Sequence, residues 1–558
     1  MQMSGAEIII KLLERQGVKV IAGIPGGANL PMYDALSRSK NIRHVLARHE
    51  QGAGFIAQGI ARVTGEPAVF FATSGPGATN TLTAIADAKL DSIPVICITG
   101  QVPLSMIGTD AFQEVDTYGL SVPITKHNFL VRSPEDLFDV IPDAFRIASS
   151  GRPGPVVIDI PKDIQSAIME FDEWPLPGKK DSEPELILAE VERAAMMINK
   201  SIKPILYLGG GVIQSEASDA ALFLAEKGNI PSALTLMGLG LIPDDHQLNL
   251  GMLGMHAARY TNLALEECDL LIAVGVRFDD RATGRVPSFC PQAKIIHIDI
   301  DPSELDKIKN AHATVTGDVG SVLKALAPLV VKKDREQWLL QVKSLKEENP
   351  MIIPDSENPS SPYGVIIKAA ELAGEKAIVC TDVGQHQMRT AQAYPFKYPR
   401  QWLTSGGLGT MGFGLPAAIG ASLAEPEKLI LCFSGDGSIM MNIQDLATAM
   451  EQGVNVKIIL TNNNALGLVR QQQDLFYGKR YYASDYTQKV DFIQIAKGFG
   501  VATYDFSTTD DPIALLIEAF SKTGPALIHV PVSPDAPVYP MVPPGAANSE
   551  MIGGYSND

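Results

Sequence analysis

The sequence predicts an α/β protein made of three doubly wound parallel-sheet domains. Its 558 residues correspond to three to four domains at ~150 residues each. Two stretches without hydrophobic periodicity, 173–187 (Pro and charge) and 349–363 (Pro, Ser and Asn), read as linkers that divide the chain into thirds. Within each third, short continuous apolar runs alternate with longer amphipathic ones. That is the pattern of strands buried on both faces between covering helices.

The expected strands follow in order. In the first third they are Ala68–Ala72, Ile93–Thr99 and Val156–Ile160. In the middle they are Pro204–Leu208, Leu270–Val274 and Lys294–Ile300. In the last they are Ala377–Thr381, Leu429–Phe433, Val456–Leu460 and Ala526–Val530. The domains are placed at 1–172, 188–345 and 362–535, with a C-terminal tail over 536–558.

Composition narrows the function classes. With 46% apolar and 20% charged residues the chain is an ordinary globular one, not collagen-like, low-complexity or disordered. A net charge of −17 makes nucleic acid or an anionic membrane a poor main partner. Five scattered Cys without CxxC spacing read as buried thiols in a reducing compartment. Residues Met1–Glu7 show no signal-peptide pattern, and no apolar run approaches the ~20 residues of a membrane span, so a cytoplasmic setting is expected.

Sliding the sequence on itself gives an internal echo. At an offset of 360, Gly52 and Gly54 fall on Gly412 and Gly414, and Ser74-Gly75-x-Gly77 falls on Ser434-Gly435-x-Gly437. An apolar strand precedes both Ser-Gly turns. The outer domains are therefore expected to share one fold, with a site between them at the carboxyl ends of strands.

Two motifs carry chemistry. The run LILCF leads through Ser434 into Gly435-Asp436-Gly437-Ser438, and Asn463 follows Asp436 by 27 residues at the end of another strand. A carboxylate on a glycine turn suits a hard cation, an amide oxygen can complete its shell, and the glycines let backbone approach phosphate oxygens. Gly-Asp-Gly alone is an ordinary turn; the second element at this spacing makes it a candidate diphosphate and Mg²⁺ site. The second motif is Arg48-His49-Glu50-Gln51-Gly52-Ala53. A Glu buried beside such a Gly/Ala-rich segment has a raised pKa suited to sharing a proton. Alone, Glu50 reads equally as a solvated carboxylate at a helix start.

The whole chain, from about Gly5 to the tail Tyr539-Pro540-Met541-Val542-Pro543, resembles the catalytic subunits of the acetohydroxyacid synthase (acetolactate synthase) family, in the bacterial form with a separate regulatory subunit. The resemblance rests on Gly23–Gly27, Ser74–Asn80, Asp110–Glu114, Gly151–Pro155, Arg277–Arg281, Gly384–Met388 and Gly406–Gly412 besides the two motifs. It implies the thiamine-diphosphate-binding fold of pyruvate-oxidase/decarboxylase type, with thiamine diphosphate, Mg²⁺ and a non-redox FAD as cofactors.

The resemblance also assigns residues. Glu50 looks like the glutamate that protonates the aminopyrimidine ring and so promotes formation of the cofactor's ylide. Asp436, Asn463 and the carbonyl of Ala465 look like Mg²⁺ ligands. Met411 resembles the residue that props the cofactor in its bent shape. Pro25, Gly26, Ser74, Asn80, Gln113, Val383, Gly384, Gln385, His386, Gly409, Gly435, Gly437, Ser438, Leu466, Gly467, Leu468 and Val469 are the remaining expected contacts of thiamine diphosphate. Gly27 and Gln113 resemble residues facing the reacting centre, Gly27 from the other subunit. Arg281 is similar to the residue that holds the second substrate's carboxylate, a task a guanidinium does bidentately. Val102, Phe112 and Lys162 correspond to the substrate channel.

The middle third resembles the family's FAD domain. Gly209-Gly210-Gly211 ends a strand, where a glycine turn accepts a pyrophosphate, and Asp299 ends another, where an acid meets a ribose hydroxyl. Arg152, Thr235, Leu236, Met237, Leu253, Gly254, Met255, His256, Gly275, Val276, Arg277, Asp279, Arg281, Ile300, Asp318, Val319, Gln387, Met388 and Gly406 correspond to FAD contacts by resemblance alone. His256 reads equally as a satisfied interdomain histidine.

Two positions depart from the common pattern. Gln472 stands where many members carry the Trp associated with preference for 2-ketobutyrate, and Leu468 replaces a common Met. One methylene in an apolar pocket is worth ~1–3 kcal/mol, so weak discrimination and a lean toward acetolactate are expected. The implied reaction decarboxylates pyruvate and ligates the hydroxyethyl carbanion to pyruvate or 2-ketobutyrate, a step of branched-chain amino-acid synthesis. The implied assembly is a homodimer or tetramer with the site across the dimer interface, and a small regulatory subunit. The alternative is an FAD-dependent enzyme of pyruvate oxidase type.

Overall fold

In the computed structural model, which describes residues 1–553, the three parallel sheets appear as expected, each six-stranded. The first comprises β1 (Val20–Gly23), β2 (Arg43–Leu46), β3 (Ala68–Ala72), β4 (Val95–Gln101), β5 (His127–Leu130) and β6 (Val156–Pro161). The second comprises β7 (Pro204–Leu208), β8 (Ser232–Leu234), β9 (Asn249–Met252), β10 (Leu270–Val274), β11 (Lys294–Asp299) and β12 (Ala313–Thr316). The third comprises β13 (Ile378–Thr381), β14 (Trp402–Leu403), β15 (Ile430–Gly435), β16 (Val456–Asn462), β17 (Ala502–Asp505) and β18 (Ala526–Pro531). Every pairing within the three sheets is parallel. A short antiparallel pair, Gln2–Ser4 with Ile168–Glu170, closes the first unit.

Strand order explains where ligands can sit. The outer sheets run β2-β1-β3-β4-β6-β5 and β14-β13-β15-β16-β18-β17, the same order element for element. The internal echo is thus a repeat of topology. The middle sheet runs β9-β8-β7-β10-β11-β12, the doubly wound order associated with dinucleotide binding. Each sheet has a switch point beside its first strand (β1/β3, β7/β10, β13/β15), and the crevice beyond the carboxyl ends there is the place for a ligand.

Central strands such as β3, β7 and β10 are buried at every residue, which is why their sequences are unbroken runs without a charge. The edge strands β2, β5, β12 and β17 carry Arg43, His127, Thr314 and Asp505 and escape an apolar-run search, because an edge faces solvent on one side. Segment 173–187 holds no helix or strand, yet it is not free throughout. Trp174 stacks on Phe138 at 5.8 Å and meets Phe171 edge-on at 4.7 Å. All five cysteines are free and buried. Among the described residues no helix is long and apolar enough to cross a membrane.

Three helices matter for the site: α1 (Glu50–Thr64), α2 (Leu82–Leu90) and α3 (Gly414–Ala424). α1 and α3, from opposite ends of the chain, cross with almost no space between them. A Cβ on Gly59 would collide with the carbonyl of Ala417, and one on Gly420 with the carbonyl of Ile56. Gly420→Ala is therefore expected to force the outer units apart and to lower stability by ~1–3 kcal/mol or more. A fall in the thermal midpoint checks this; an unchanged midpoint would refute the close crossing.

The tail folds back on the middle unit. Val542 N–H donates to the carbonyl of Met255 at 2.8 Å, and Asn548 Nδ2 donates to that of Ala282 at 2.8 Å. The last five residues of the 536–558 tail, 554–558, lie outside the described residues.

Candidate active site

The candidate residues of each unit gather at the carboxyl edge of its sheet. In the C-terminal unit, β13 leads to Val383–His386, β14 to Gly406–Met411, β15 to Asp436 and β16 to Asn463–Val469. Asp436 is 4% exposed; its Oδ1 accepts from Gly437 N–H at 3.0 Å and its Oδ2 from Ala465 N–H at 3.2 Å. Burial pushes this carboxyl up to about 6, against those amide donors. Asn463 Oδ1 also accepts from Ala465 N–H, at 3.1 Å, and its Nδ2 donates to Gln385 Oε1 at 3.3 Å. Gln385 and His386 thus belong to the same cluster as Asp436 and Asn463.

Met411 closes the group from the other side: its Cε lies 3.6 Å from where a Cβ on Gly437 would stand, with Leu466 Cδ2 at 2.8 Å. His386 is 4% exposed, its Nε2 has no partner in the chain, and burial holds the imidazole down to about 3, hence neutral. One carboxylate, one amide oxygen and a backbone carbonyl are a hard-cation donor set, and the open glycine turn beside an unpaired imidazole nitrogen fits a diphosphate. These residues fit the group expected there. Among the described residues no cluster of three or more His, Cys, Asp and Glu forms a separate metal site.

Asp382, which sequence reasoning missed, organises this edge. It is fully buried and accepts from Val383 N–H at 3.0 Å, Gly412 N–H at 2.7 Å and Ser434 Oγ–H at 3.3 Å. Its carboxyl is pushed up to about 6, chiefly by burial. Its position at the end of an apolar strand was the available signal. Gln471 was missed too; it clamps the tail through both the N–H (2.9 Å) and the carbonyl (3.0 Å) of Val538.

In the N-terminal unit, β1 leads to Pro25–Gly27, β3 to Ser74–Asn80, β4 to Val102 and on to Phe112 and Gln113, and β6 to Lys162. Glu50 opens α1, and its Oε2 accepts from Asn80 Nδ2 at 3.0 Å. A Cβ on Gly77 would stand 3.4 Å from Glu50 Oε1. Gln113, at φ 59, packs against Gly75, and Val102 is buried. Phe112 is 86% exposed, and Pro25, Gly27, Asn80 and Lys162 are exposed as well. Glu50 is half-buried rather than enclosed as expected, because within one chain nothing covers this edge. Among the described residues no hydrogen bond or ion pair joins Glu50 to the Asp436 cluster; the start of α1 rests instead on Asp445, through Arg48 N–H at 3.2 Å.

A cavity of about 2090 Å³ opens at the β7/β10 reversal. It is several times the roughly 300–1,000 Å³ of a small-molecule pocket, in keeping with a dinucleotide. Every residue expected to contact FAD lines it except Gly254, which is turned beneath, its N–H donating to Asn262 Oδ1 at 3.0 Å. Gly209–Gly211 and Gly275 are pressed together at the switch point: a Cβ on Gly211 would stand 2.6 Å from the Cα of Gly275. Thr235 Oγ1 is buried without a partner. This backbone-lined crevice with a spare hydroxyl fits a pyrophosphate-bearing cofactor.

Three of these residues also have partners within the chain. Asp299 ends β11, as the sequence indicated, and its Oδ1 accepts from Asp301 N–H at 2.9 Å. Arg152 reaches across to Asp301 (3.1 Å) and Glu304 (2.7 Å). His256 bonds through Nδ1 to the Pro540 carbonyl at 3.0 Å, and burial takes it down to about 4, so it is both a neutral interdomain histidine and a lining residue.

The same cavity also holds Arg281, Leu468, Gln472, Val383 and Gly409, joining the expected flavin and substrate residues in one space. Arg281 is 65% exposed, its nearest carboxylate, Asp280, 3.9 Å away. Its neighbours in the charged run do other work: Phe278 is core, and Asp279 caps the helix Asp280–Thr283. Glu50, Gly27, Gln113, Phe112 and Lys162 do not line this space.

Comparisons with known proteins show the family of the chain. Residues 3–120, 191–326 and 382–530 match the family models of the thiamine pyrophosphate enzyme N-terminal TPP binding, central and C-terminal TPP binding domains. The isozyme 1 acetolactate synthase large subunit of Escherichia coli (strain K12) is 60% identical over 99% of this chain and 98% of the relative. The chain belongs to the acetolactate synthase large-subunit family. The isozyme 2 large subunit of the same organism is 46% identical, covering 99% of each chain. A probable acetolactate synthase large subunit from Methanocaldococcus jannaschii is 45% identical over 99% of this chain and 95% of the relative. Acetolactate synthase large subunits are therefore similar to this chain over the residues of all three sheets.

Proposed function

We propose that this chain decarboxylates pyruvate and joins the two-carbon remainder to a second 2-keto acid. With pyruvate as acceptor the product is 2-acetolactate; with 2-ketobutyrate it is 2-aceto-2-hydroxybutyrate, and CO₂ leaves in both cases. The observation that carries the reading is full-length membership of the acetolactate synthase large-subunit family, with the Asp436–Asn463–Gln385 cluster intact at a switch point. The second reading from the sequence, a flavin-dependent pyruvate oxidase, is not favoured by these relatives.

Thiamine diphosphate, when bound, supplies the carbanion chemistry that lets CO₂ depart. Asp436, Asn463 and the Ala465 carbonyl would hold Mg²⁺, and Gly384–His386, Gly437 and Ser438 the diphosphate. Met411 would fix the bend. Glu50 would share a proton with the pyrimidine ring, and Gly27, Gln113, Val102, Phe112 and Lys162 would line the approach. Arg281 would hold the acceptor's carboxylate bidentately. The cavity at β7/β10 would take FAD in a structural role, because this reaction has no net redox change.

Because Glu50 stands on an exposed edge away from Asp436, the complete site would form when the edge of one copy covers that of another. A dimer or a dimer of dimers, with a smaller regulatory chain, belongs to the same reading.

The testing experiment supplies pyruvate and 2-ketobutyrate together, with thiamine diphosphate, Mg²⁺ and FAD, and quantifies both acetohydroxyacids. Comparable amounts are expected, since Gln472 faces the cavity with a polar amide where apolar contact with an extra methyl would be needed. Gln472→Trp is expected to shift the product ratio toward 2-aceto-2-hydroxybutyrate by ~10–200-fold. An unmoved ratio would remove Gln472 from specificity, and acetate in place of both products would reinstate the oxidase.

A further inference from the structure

Loop 405–411 carries Gly409 and Met411, and it is not held by its own unit alone. Two carboxylates at the end of α2, in the N-terminal unit, receive its donors. Asp87 Oδ2 accepts from the hydroxyls of Ser405 and Thr410, the latter at 2.8 Å. Asp91 Oδ2 accepts from Gly406 N–H at 3.0 Å and Asp91 Oδ1 from Gly407 N–H at 2.7 Å. Ser405 Oγ in turn accepts from Thr410 N–H at 2.8 Å, pinning the loop to itself.

Arg62 ties both carboxylates to α1. Its Nη2 donates to Asp91 at 2.7 Å and to Asp87 at 3.3 Å, and its guanidinium lies 4.9 Å over the Phe413 ring. The side chains of Asp87 and Asp91 are 0% exposed and that of Arg62 is 5%. One guanidinium against two buried carboxylates is a costly arrangement unless their remaining lone pairs are satisfied. Here the loop satisfies them. Each Asp91 oxygen faces one of two consecutive backbone N–H groups, so an amide in its place would turn a donor toward one of them.

The loop also borders the cavity. Gly406, Gly407 and Asp91 line it; Gly406 packs on Met237 Sδ, and Arg277 Nη2 lies 3.3 Å from a Cβ placed on Gly407.

We propose that Asp87 and Asp91 are positioning residues that hold loop 405–411 in the one shape serving both cofactor regions, and that Arg62 links this clamp to the helix bearing Glu50. The proposal rests on the reading of Gly409 and Met411 as thiamine diphosphate contacts and of Met237 and Gly406 as flavin contacts. It predicts reciprocal coupling, because one loop shape is selected by either cofactor.

The test titrates the full-length apoprotein with thiamine diphosphate and Mg²⁺, followed by tryptophan fluorescence, and separately with FAD, followed by flavin fluorescence. Asp91→Asn, which turns an amide N–H toward a glycine N–H, is expected to raise both half-saturation concentrations about fivefold or more. Thr410→Val keeps shape and charge, removes one hydrogen bond, and is expected to raise that for thiamine diphosphate about threefold. At saturating cofactor the pyruvate KM should stay within about twofold, since Arg281 lies on another loop. A merely structural role would lower the thermal midpoint and leave both half-saturation concentrations in place, which would overturn the proposal. If Asp91→Asn does not fold, Thr410→Val decides. Wild-type protein that binds no thiamine diphosphate would overturn the cofactor reading, and the proposal with it.

Discussion

Glu50→Gln is expected to lower kcat for acetolactate formation by about a hundred- to ten-thousand-fold while thiamine diphosphate still binds. Gln keeps the size of the side chain and an oxygen to accept from Asn80, which now bonds Glu50 at 3.0 Å. What it loses is the proton. The role assigned to Glu50 is proton sharing and not cofactor affinity, so loss of rate should come without loss of binding. Initial rates and a cofactor titration measured side by side check this. A variant keeping more than about a tenth of the wild-type rate would remove Glu50 from the chemistry.

Asp436→Ala should act the other way, through binding. Asp436 is the sole carboxylate among the assigned ligands, and both its oxygens lie within hydrogen-bond distance of backbone amides that aim it at the turn. Without it the chain offers a divalent cation only neutral oxygens, too weak to anchor the cation and the diphosphate it carries. Thiamine diphosphate with Mg²⁺ should raise the wild-type thermal midpoint by several degrees, as a ligand specific for the native state must. The variant should show no such rise and no activity. An equal rise in both proteins would contradict the assignment of Asp436.

Much of this was legible in the sequence. Strands β3, β7 and β10 declare themselves because burial on both faces leaves no charged position. Turn motifs at their ends were legible because a backbone that must approach phosphate closely needs glycine there. The 360-residue echo forecast two sheets of identical strand order. Edge strands were lost because half-exposed strands resemble loops.

The joints between units were lost for a different reason. Asp87 and Asp91 look like solvated carboxylates at the end of a helix, and their partners Ser405 and Gly407 lie more than 300 residues away. The charged run Arg277–Arg281 showed its charge but not its division of labour into core, cap and cavity residues. Glu50 was expected to be enclosed; one chain leaves it half-buried, because what packs over a helix start is set by residues far from it in sequence.

Assembly is the central claim, and complementation tests it most directly. Glu50→Gln and Asp436→Ala chains, each inactive alone, are mixed in equal amounts under conditions that exchange subunits, and acetolactate formation is measured. If the site spans two copies, half the dimers are hybrids, and each hybrid holds one intact site of its two, so about a quarter of the wild-type activity returns. If each chain carries a whole site, every site stays defective and no activity returns, which would contradict the account.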